Sequence, residues 1–138
     1  MGRILAIDYG TKRTGFAVTD PLKIIASSLE TVQTNVIMKF IKEYVQKEDV
    51  EHFVIGLPKG LDGKATDNTK PTQNFGKKLA AEFPNIPITY IDERFTSKMA
   101  EQSMISGGMK KKDRKVKGNV DKISAAIILQ SFLDQNSF

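Results

Sequence analysis

The sequence has no cysteine and no tryptophan, and its 138 residues include one histidine, His52. Without cysteine no disulfide can form. A Ser/His/Asp catalytic triad would have to use His52, the single histidine. This residue opens a predicted strand and is better explained as a surface or hydrogen-bonded residue. No apolar run approaches the roughly 18 residues of a membrane helix, and no charged-then-apolar leader follows Met1. We therefore expect a cytoplasmic protein with no membrane partner.

Length and composition predict a single domain over residues 1–138. The hydrophobic fraction is 40%, and a chain of this size buries about two-thirds of its extended surface, so its stability requires neither a metal nor a disulfide. The sequence contains no internal repeat and no stretch with the composition of a linker.

Positive charge is concentrated in one segment, "KKKDRKVKGNVDK", residues 110–122. This segment supplies the whole net charge of +5, because the rest of the chain is balanced. Two interpretations remain open, a solvated loop and a segment that binds nucleic-acid phosphates. Under the second interpretation the binding residues are Lys110, Lys111, Lys112, Arg114, Lys115 and Lys117.

Hydrophobic periodicity predicts five strands and four helices. The strands are predicted at "RILAID", "TGFAVTD", residues 24–29, "HFVIG" and "ITYID". The helices are predicted in a segment capped by Asn35 and at "TQNFGKKLAAEF", "SKMAEQSMIS" and "DKISAAIILQSFLDQ". The order βββαβαβαα predicts an α/β fold with a mixed five-stranded sheet and helices packed on its faces.

Three acidic residues stand at the ends of these elements. Asp8 ends the first strand, Glu93 follows the fifth and Asp121 begins the last helix. If the first strand is central and parallel to the fourth and fifth, Asp8 and the "DER" of residues 92–94 lie at one sheet edge. Three close carboxylates repel by about 1 to 4 kcal/mol per pair, which a cation relieves. Oxygen ligands favour Mg²⁺ or Mn²⁺, which can catalyse phosphodiester cleavage.

Each acid also has a structural explanation. Asp8 could be a turn residue, Glu93 an ion-pair partner of Arg94, and Asp121 a helix cap. The strand-end placement of the set favours a metal site. A fourth carboxylate has no convincing candidate, because Asp92 and Asp20 are better explained as structural residues.

Four segments together carry a family resemblance: "AIDYGTKRTGFAVTD", "VIGLPKGLDG", "IDERFTS" and "VDKISAAIILQSFL". They resemble the YqgF family, also called RuvX, within the ribonuclease H-like superfamily. The resemblance implies a ribonuclease H-like fold with helices on both faces of the sheet. It also implies a Mg²⁺- or Mn²⁺-dependent endonuclease, a hydrolase whose catalytic and metal-binding residues are Asp8, Glu93 and Asp121.

Relatives in this family are described as Holliday-junction resolvases or act in maturation of the 5′ end of 16S ribosomal RNA. The expected partner is therefore nucleic acid, precursor rRNA first and branched DNA as the alternative. Lys59 either contacts this substrate or only turns its loop, and Arg94 either contacts phosphate or braces Glu93. A resolvase needs a symmetric pair of sites whereas RNA trimming needs one, so both a monomer and a homodimer stay open.

The sequence also bears on three other functions. "GTKRTG" has the glycine spacing of a P-loop but lacks the following Lys and Ser or Thr, which excludes that motif. Actin-like and sugar-kinase ATPases open with a similar strand, acid and glycine, but one domain cannot supply their two-domain cleft. A catalytically inactive nucleic-acid-binding module stays open as the third.

Overall fold

The computed structural model describes residues 2–23, 25–57, 69–92 and 117–135, and of residues 92, 117–123 and 135 it describes the backbone alone. The strands are β1 Arg3–Asp8, β2 Arg13–Thr19, β3 Ala26–Gln33, β4 Val50–Leu57 and β5 Ile88–Asp92. A short 3-10 helix spans Thr34–Val36, and the α-helices are α1 Ile37–Lys47, α2 Thr69–Glu82 and α3 Lys117–Gln135. The helix predicted at "SKMAEQSMIS" lies outside the described residues.

The strands form one mixed sheet in the order β3-β2-β1-β4-β5. β1 is central; it pairs antiparallel with β2 and parallel with β4, and β4 pairs parallel with β5. The continuous apolar run of β1 explains this position, because a central strand is covered on both faces. The predicted mixed sheet is confirmed, with β1, β4 and β5 ending at the same edge.

Alternation along β1 divides the molecule into two cores. Leu5 and Ile7 face one side, where α1 and α2 pack on them. Ile4 and Ala6 face the other side, where α3 covers them. We call these sides the α1/α2 face and the α3 face. Helices therefore lie on both faces of the sheet, as the family resemblance implies. None of the described helices is long and apolar enough to cross a membrane.

The first helix does not begin as predicted. Asn35 lies inside the 3-10 helix, and α1 starts at Ile37 without any side-chain cap. Val36, predicted to be on the apolar face, is 45% exposed. The backbone N–H of Thr34 donates to the carbonyl of Lys12 at 3.0 Å, and its hydroxyl donates to that of Gly10 at 2.6 Å. These two hydrogen bonds attach Thr34, the first residue of the 3-10 helix, to the β1–β2 loop. The chain therefore makes this tighter turn before α1 begins.

Other boundaries also differ from the prediction, and those of β3 and α3 bear on the site. β3 extends to Gln33, because it pairs with β2 along its whole length although its sequence is mostly polar. α3 begins at Lys117, four residues before the predicted start. Asp121 is consequently its fifth residue, so the structural explanation given for this acid, a helix cap, is wrong.

His52 is a packed, hydrogen-bonded residue, which confirms the prediction made for it. Its Nε2 lies 2.8 Å from the Thr89 hydroxyl, and its ring lies 5.1 Å from that of Phe132. Burial lowers the pKa of His52 below its ordinary value, against an opposing effect of the Glu51 charge. The folded protein therefore holds this side chain neutral more firmly than the unfolded chain does.

This pKa shift predicts a pH-dependent stability difference between the wild type and His52→Gln. Below the unfolded value of about 6.5 the unfolded chain takes up a proton that the folded protein resists, so stability falls as the pH drops towards the folded pKa. Any advantage of the wild type in melting temperature at pH 8 should shrink at pH 5. A difference that stays constant over this range would contradict the assignment.

Candidate active site

Asp8 is the last residue of β1 and lies half-buried at the edge where the parallel strands end. It continues the alternation of Ile4 and Ala6, so its side chain is on the α3 face. This is the edge of an α/β sheet at which ligands ordinarily bind. The sequence-based placement of Asp8 at a strand end on this edge is confirmed.

Glycines flank Asp8 on both neighbouring strands. Asp8 pairs with Gly15 on β2. On β4, Ile7 pairs with Ile55, so the next residues along, Asp8 and Gly56, lie side by side. Alternation puts both glycines on the α3 face, where neither contributes a side chain. Asp8 is therefore flanked on both neighbouring strands by residues without side chains, and we call this part of the sheet the Asp8 basin.

β5 brings a second strand end to this basin. Gly56 pairs with Ile91 and Leu57 with Asp92. With strands about 4.8 Å apart, the backbones of Asp8 and Ile91 are separated by about 10 Å. Glu93 lies outside the described residues, as do Lys59, Arg94, Lys110, Lys111, Lys112, Arg114 and Lys115. Asp121 and Lys117 are placed in α3 by their backbone alone.

One contact locates the carboxyl-terminal part of α3. Phe132 packs on His52, which pairs with Ile4 at the amino end of β1. This part of the helix therefore lies at the end of the sheet opposite Asp8. Residue 121 is about 16 Å along the helix axis from Phe132.

Within the part of the chain that the structure describes, no three His, Cys, Asp or Glu side chains lie close enough together to hold a metal ion. Only Asp8 of the three sequence-predicted acids has a described side chain. Asp20, considered as a fourth carboxylate, is explained as a structural residue. Its carboxylate accepts the backbone N–H groups of Leu22, at 3.2 Å, and Ile25, at 2.8 Å, beyond the far end of β2.

The loop after Asp8, residues 9–12, is fixed by two threonine hydroxyls. Because the Thr34 hydroxyl donates to Gly10, the Thr14 hydroxyl, 3.0 Å away, donates to Thr34. A Cβ on Gly10 would lie 2.3 Å from the Arg13 carbonyl oxygen, so this close turn requires glycine. The loop leads into a strand and not a helix, which confirms that "GTKRTG" is not a P-loop.

A cleft of about 370 Å³ opens on the opposite face of the same edge. Tyr9 follows Asp8, faces the α1/α2 core and stacks on Phe75 with ring centroids 5.0 Å apart. Asn35, Asn74 and Lys78 also line the cleft. We call it the Tyr9 cleft. The sequence did not predict this cleft, because its residues come from three distant segments. The single local signal is the i, i+4 spacing of Asn74 and Lys78, which puts both side chains on the same face of α2.

The Asp8 basin predicts a specific effect of a side chain at position 56. Gly56→Val should lower Mg²⁺-dependent nucleic-acid cleavage by about a hundredfold, because its side chain occupies the space beside Asp8. Valine favours strand structure, so the melting temperature should be maintained. Gly56→Ala should give a smaller loss.

A control for the valine itself is Ser27→Val, which adds the same side chain to an exposed position of β3. This variant should keep wild-type cleavage. Equal activity of Gly56→Val and Ser27→Val would show that the space beside Asp8 is not used.

Comparison with known proteins identifies the family of this chain. The model of the family described as "RuvX: Holliday junction resolvase" matches residues 2–135. The chain belongs to the RuvX family. A Porphyromonas gingivalis protein named "Putative pre-16S rRNA nuclease" is 54% identical over 97% of both chains, and a Bacteroides thetaiotaomicron protein of the same name is 51% identical over the whole of both.

Solved structures support the RuvX fold. A T. thermophilus RuvC in complex with a Holliday junction substrate superposes with a TM-score of 0.60 over 99% of this chain and 97% of that one, at 17% identity. A fowlpox virus resolvase in complex with Holliday junction DNA gives 0.62 over 99% of both chains, at 11% identity. The family and the ribonuclease H-like fold predicted from the four motifs are both confirmed.

Proposed function

We propose that this RuvX-family protein is a metal-dependent endonuclease that hydrolyses phosphodiester bonds in precursor 16S rRNA during maturation of its 5′ end. The observation that carries the proposal is the Asp8 basin, a carboxylate flanked by two glycines at the edge shared with the end of β5. Relatives at 54% and 51% identity named as pre-16S rRNA nucleases support the choice of substrate.

The proposed metal ligands are Asp8, Glu93 and Asp121. The chemistry of Asp8 fits Mg²⁺ or Mn²⁺, since a carboxylate offers the hard oxygen donors that these ions prefer and its strand neighbours Gly15 and Gly56 carry no side chains. Thr89 and Ile91 lie on the α3 face of β5, the face that also carries Asp8, and Glu93 follows Ile91 by two residues in the sequence. Asp121 lies in α3, four residues before the buried Ala125.

Each part of the chain has a distinct task in this proposal. A bound divalent ion would polarise the scissile phosphate and lower the pKa of the attacking water. Asp8 and the other two acids would hold the ion, and their negative charges would balance its positive charge. The Gly15 and Gly56 positions leave room for the sugar-phosphate chain. Arg94 and Lys59 are proposed to contact phosphates on either side of the bond that breaks.

The basic segment is proposed to supply most of the affinity for nucleic acid. Lys110, Lys111, Lys112, Arg114, Lys115 and Lys117 precede Asp121 directly, so phosphate capture and placement of a catalytic acid would involve the same stretch of chain. A substrate of this kind is found in the cytoplasm, where we propose that the protein acts.

A second candidate, cleavage of four-way DNA junctions, is favoured by the description of the family. A side-by-side assay in Mg²⁺ on a precursor 16S RNA and a four-way DNA junction separates the two, together with a mass measurement in solution. We expect cutting confined to the RNA, by a monomer. Symmetric cuts in the junction by a homodimer would establish the resolvase, and binding without cleavage of either substrate would establish an inactive binding module.

A further inference from the structure

The Tyr9 cleft plays no part in the proposed hydrolysis, yet it adjoins the Asp8 basin. Asp8 and Tyr9 are consecutive, so their Cα atoms are about 3.8 Å apart, and their side chains project to opposite faces of the sheet. Asp8 ends β1 and Tyr9 follows it, so both lie at the same edge of the sheet. A strand of nucleic acid that lies along this edge can therefore contact the Asp8 basin and the Tyr9 cleft.

The lining of the cleft combines an apolar interior with a polar rim. Ile37 and Phe75 are buried at its base, and Tyr9 stacks on Phe75. The amide side chains of Asn35 and Asn74 are exposed at the rim. Apolar and aromatic surfaces bind the faces of an unpaired base, and amide groups can hydrogen-bond to its edge. The volume of about 370 Å³ is within the range of small-ligand sites.

Charge around the cleft suits a polyanion. Every residue that lines it in the described part of the chain is neutral or basic, and Lys78 supplies a positive charge. A second hollow shares Asn35 with the cleft and is lined by Lys12 and Arg13, also without an acidic residue among the described ones. The two hollows adjoin at Asn35, and their basic side chains give this part of the surface a positive charge that suits a phosphate backbone.

The α2 residues at the cleft belong to one stripe of the helix. Pro71, Asn74, Phe75 and Lys78 follow the i, i+3, i+4, i+7 spacing of a single helix face. Lys77 is exposed but does not line the cleft. The cleft is thus supplied by a defined face of α2, and the adjacent position of the same residue type offers a matched control.

We infer that the Tyr9 cleft holds one unpaired nucleobase of the strand being cut, next to the scissile phosphate, with Lys78 on the adjoining phosphate. The cleft makes the enzyme selective for an unpaired strand at that nucleotide, since a base in a duplex cannot enter it. This inference rests on the proposed nuclease function and adds the structural class of the substrate.

The test compares two double variants, Asn74→Ala/Lys78→Ala at the cleft and Gln73→Ala/Lys77→Ala beside it. Both remove one amide and one charge from exposed positions of α2, and alanine favours helix, so both should fold. Binding is measured in EDTA with a short unpaired RNA and with a duplex of the same sequence. We expect the cleft variant to bind the unpaired RNA about tenfold more weakly than the control variant, with equal binding of the duplex.

Single abasic sites placed along the unpaired RNA identify the occupant. One position should cost the wild type about tenfold in affinity and cost the cleft variant almost nothing, because the lost interaction is the same one. Equal binding by the two double variants, or equal additional losses in the duplex and the unpaired RNA, would overturn the inference. An abasic scan without a sensitive position would show that the cleft takes a phosphate only, which also overturns it.

Because EDTA stops cleavage but not binding, these outcomes are independent of the proposed activity. A wild type that shows the abasic signature and cuts neither substrate in Mg²⁺ refutes the nuclease and retains the cleft as a binding site. A wild type that cuts precursor RNA without the abasic signature refutes the cleft alone.

Discussion

Asp8→Asn is expected to lower Mg²⁺-dependent cleavage of precursor 16S RNA by about a thousandfold or more while the protein stays folded. Asparagine keeps the shape of the side chain but removes the negative charge that holds the ion. Glu93→Gln and Asp121→Asn should have the same effect. The measurement is the single-turnover rate of RNA cleavage, with the circular dichroism spectrum recorded for each variant.

The loss of activity in these three variants should not be accompanied by a loss of thermal stability. Removing one of several mutually repelling carboxylates should leave the melting temperature in metal-free buffer unchanged or raise it. Adding Mg²⁺ should raise the melting temperature of the wild type relative to the variants, because an ion that binds only the folded state stabilises it. Full cleavage activity in any one of the three variants would remove that residue from the catalytic set.

Asp20→Asn is the matched control for these substitutions. The Asp20 side chain accepts two backbone N–H groups of the β2–β3 turn, at the end of the sheet away from Asp8. The same chemical change there should keep cleavage within about twofold of the wild type and lower stability by about 1 kcal/mol. A loss of cleavage in Asp20→Asn equal to that in Asp8→Asn would mean that the assay reports folding and not chemistry.

Replacing the basic segment with serine is expected to change affinity most strongly at low salt. If about four of the six cations contact phosphates, the slope of log affinity against log salt should flatten by roughly 3, since each contact contributes about 0.7 to 0.9. Discrimination between sequences should change little, because phosphate contacts position a nucleic acid without identifying it. The six replaced residues are Lys110, Lys111, Lys112, Arg114, Lys115 and Lys117.

A control protein should carry serine at exposed lysines elsewhere: Lys39, Lys47, Lys70 and Lys77. Its salt slope should stay near that of the wild type. The competing interpretation, a solvated loop that never touches substrate, predicts an unchanged slope and unchanged cleavage for the basic-segment variant. Observing both would defeat the proposed role of the segment and leave the acids in place.

The central strand was the part of the fold most accessible from sequence. β1 has the predicted bounds, because a strand buried on both faces needs a continuous apolar run, and Asp8 marks its end. β3 was harder to bound, since its pairing with β2 and not its own polar sequence determines its length. The start of α1 depended on hydrogen bonds from Thr34 to a loop more than twenty residues away, which local propensity does not encode.

In the candidate site, too, some features were predictable from local sequence and others depend on tertiary structure. A carboxylate after an apolar strand signalled Asp8 from sequence alone. The Asp8 basin required the register of three strands, because Gly15 and Gly56 become its flanks only once they are paired beside Asp8. The Tyr9 cleft required the packing of α2 against the loop after β1, so no local pattern could reveal it.

The most direct test of the account is anomalous diffraction from crystals of the full chain soaked in Mn²⁺. The account predicts a manganese peak within about 2.5 Å of an Asp8 carboxylate oxygen, in the basin between Gly15 and Gly56, with oxygens of Glu93 and Asp121 among its ligands. The peak should be absent from Asp8→Asn crystals treated in the same way. Saturating Mn²⁺ that leaves the Asp8 carboxylate without a metal, or binds only elsewhere, would contradict it.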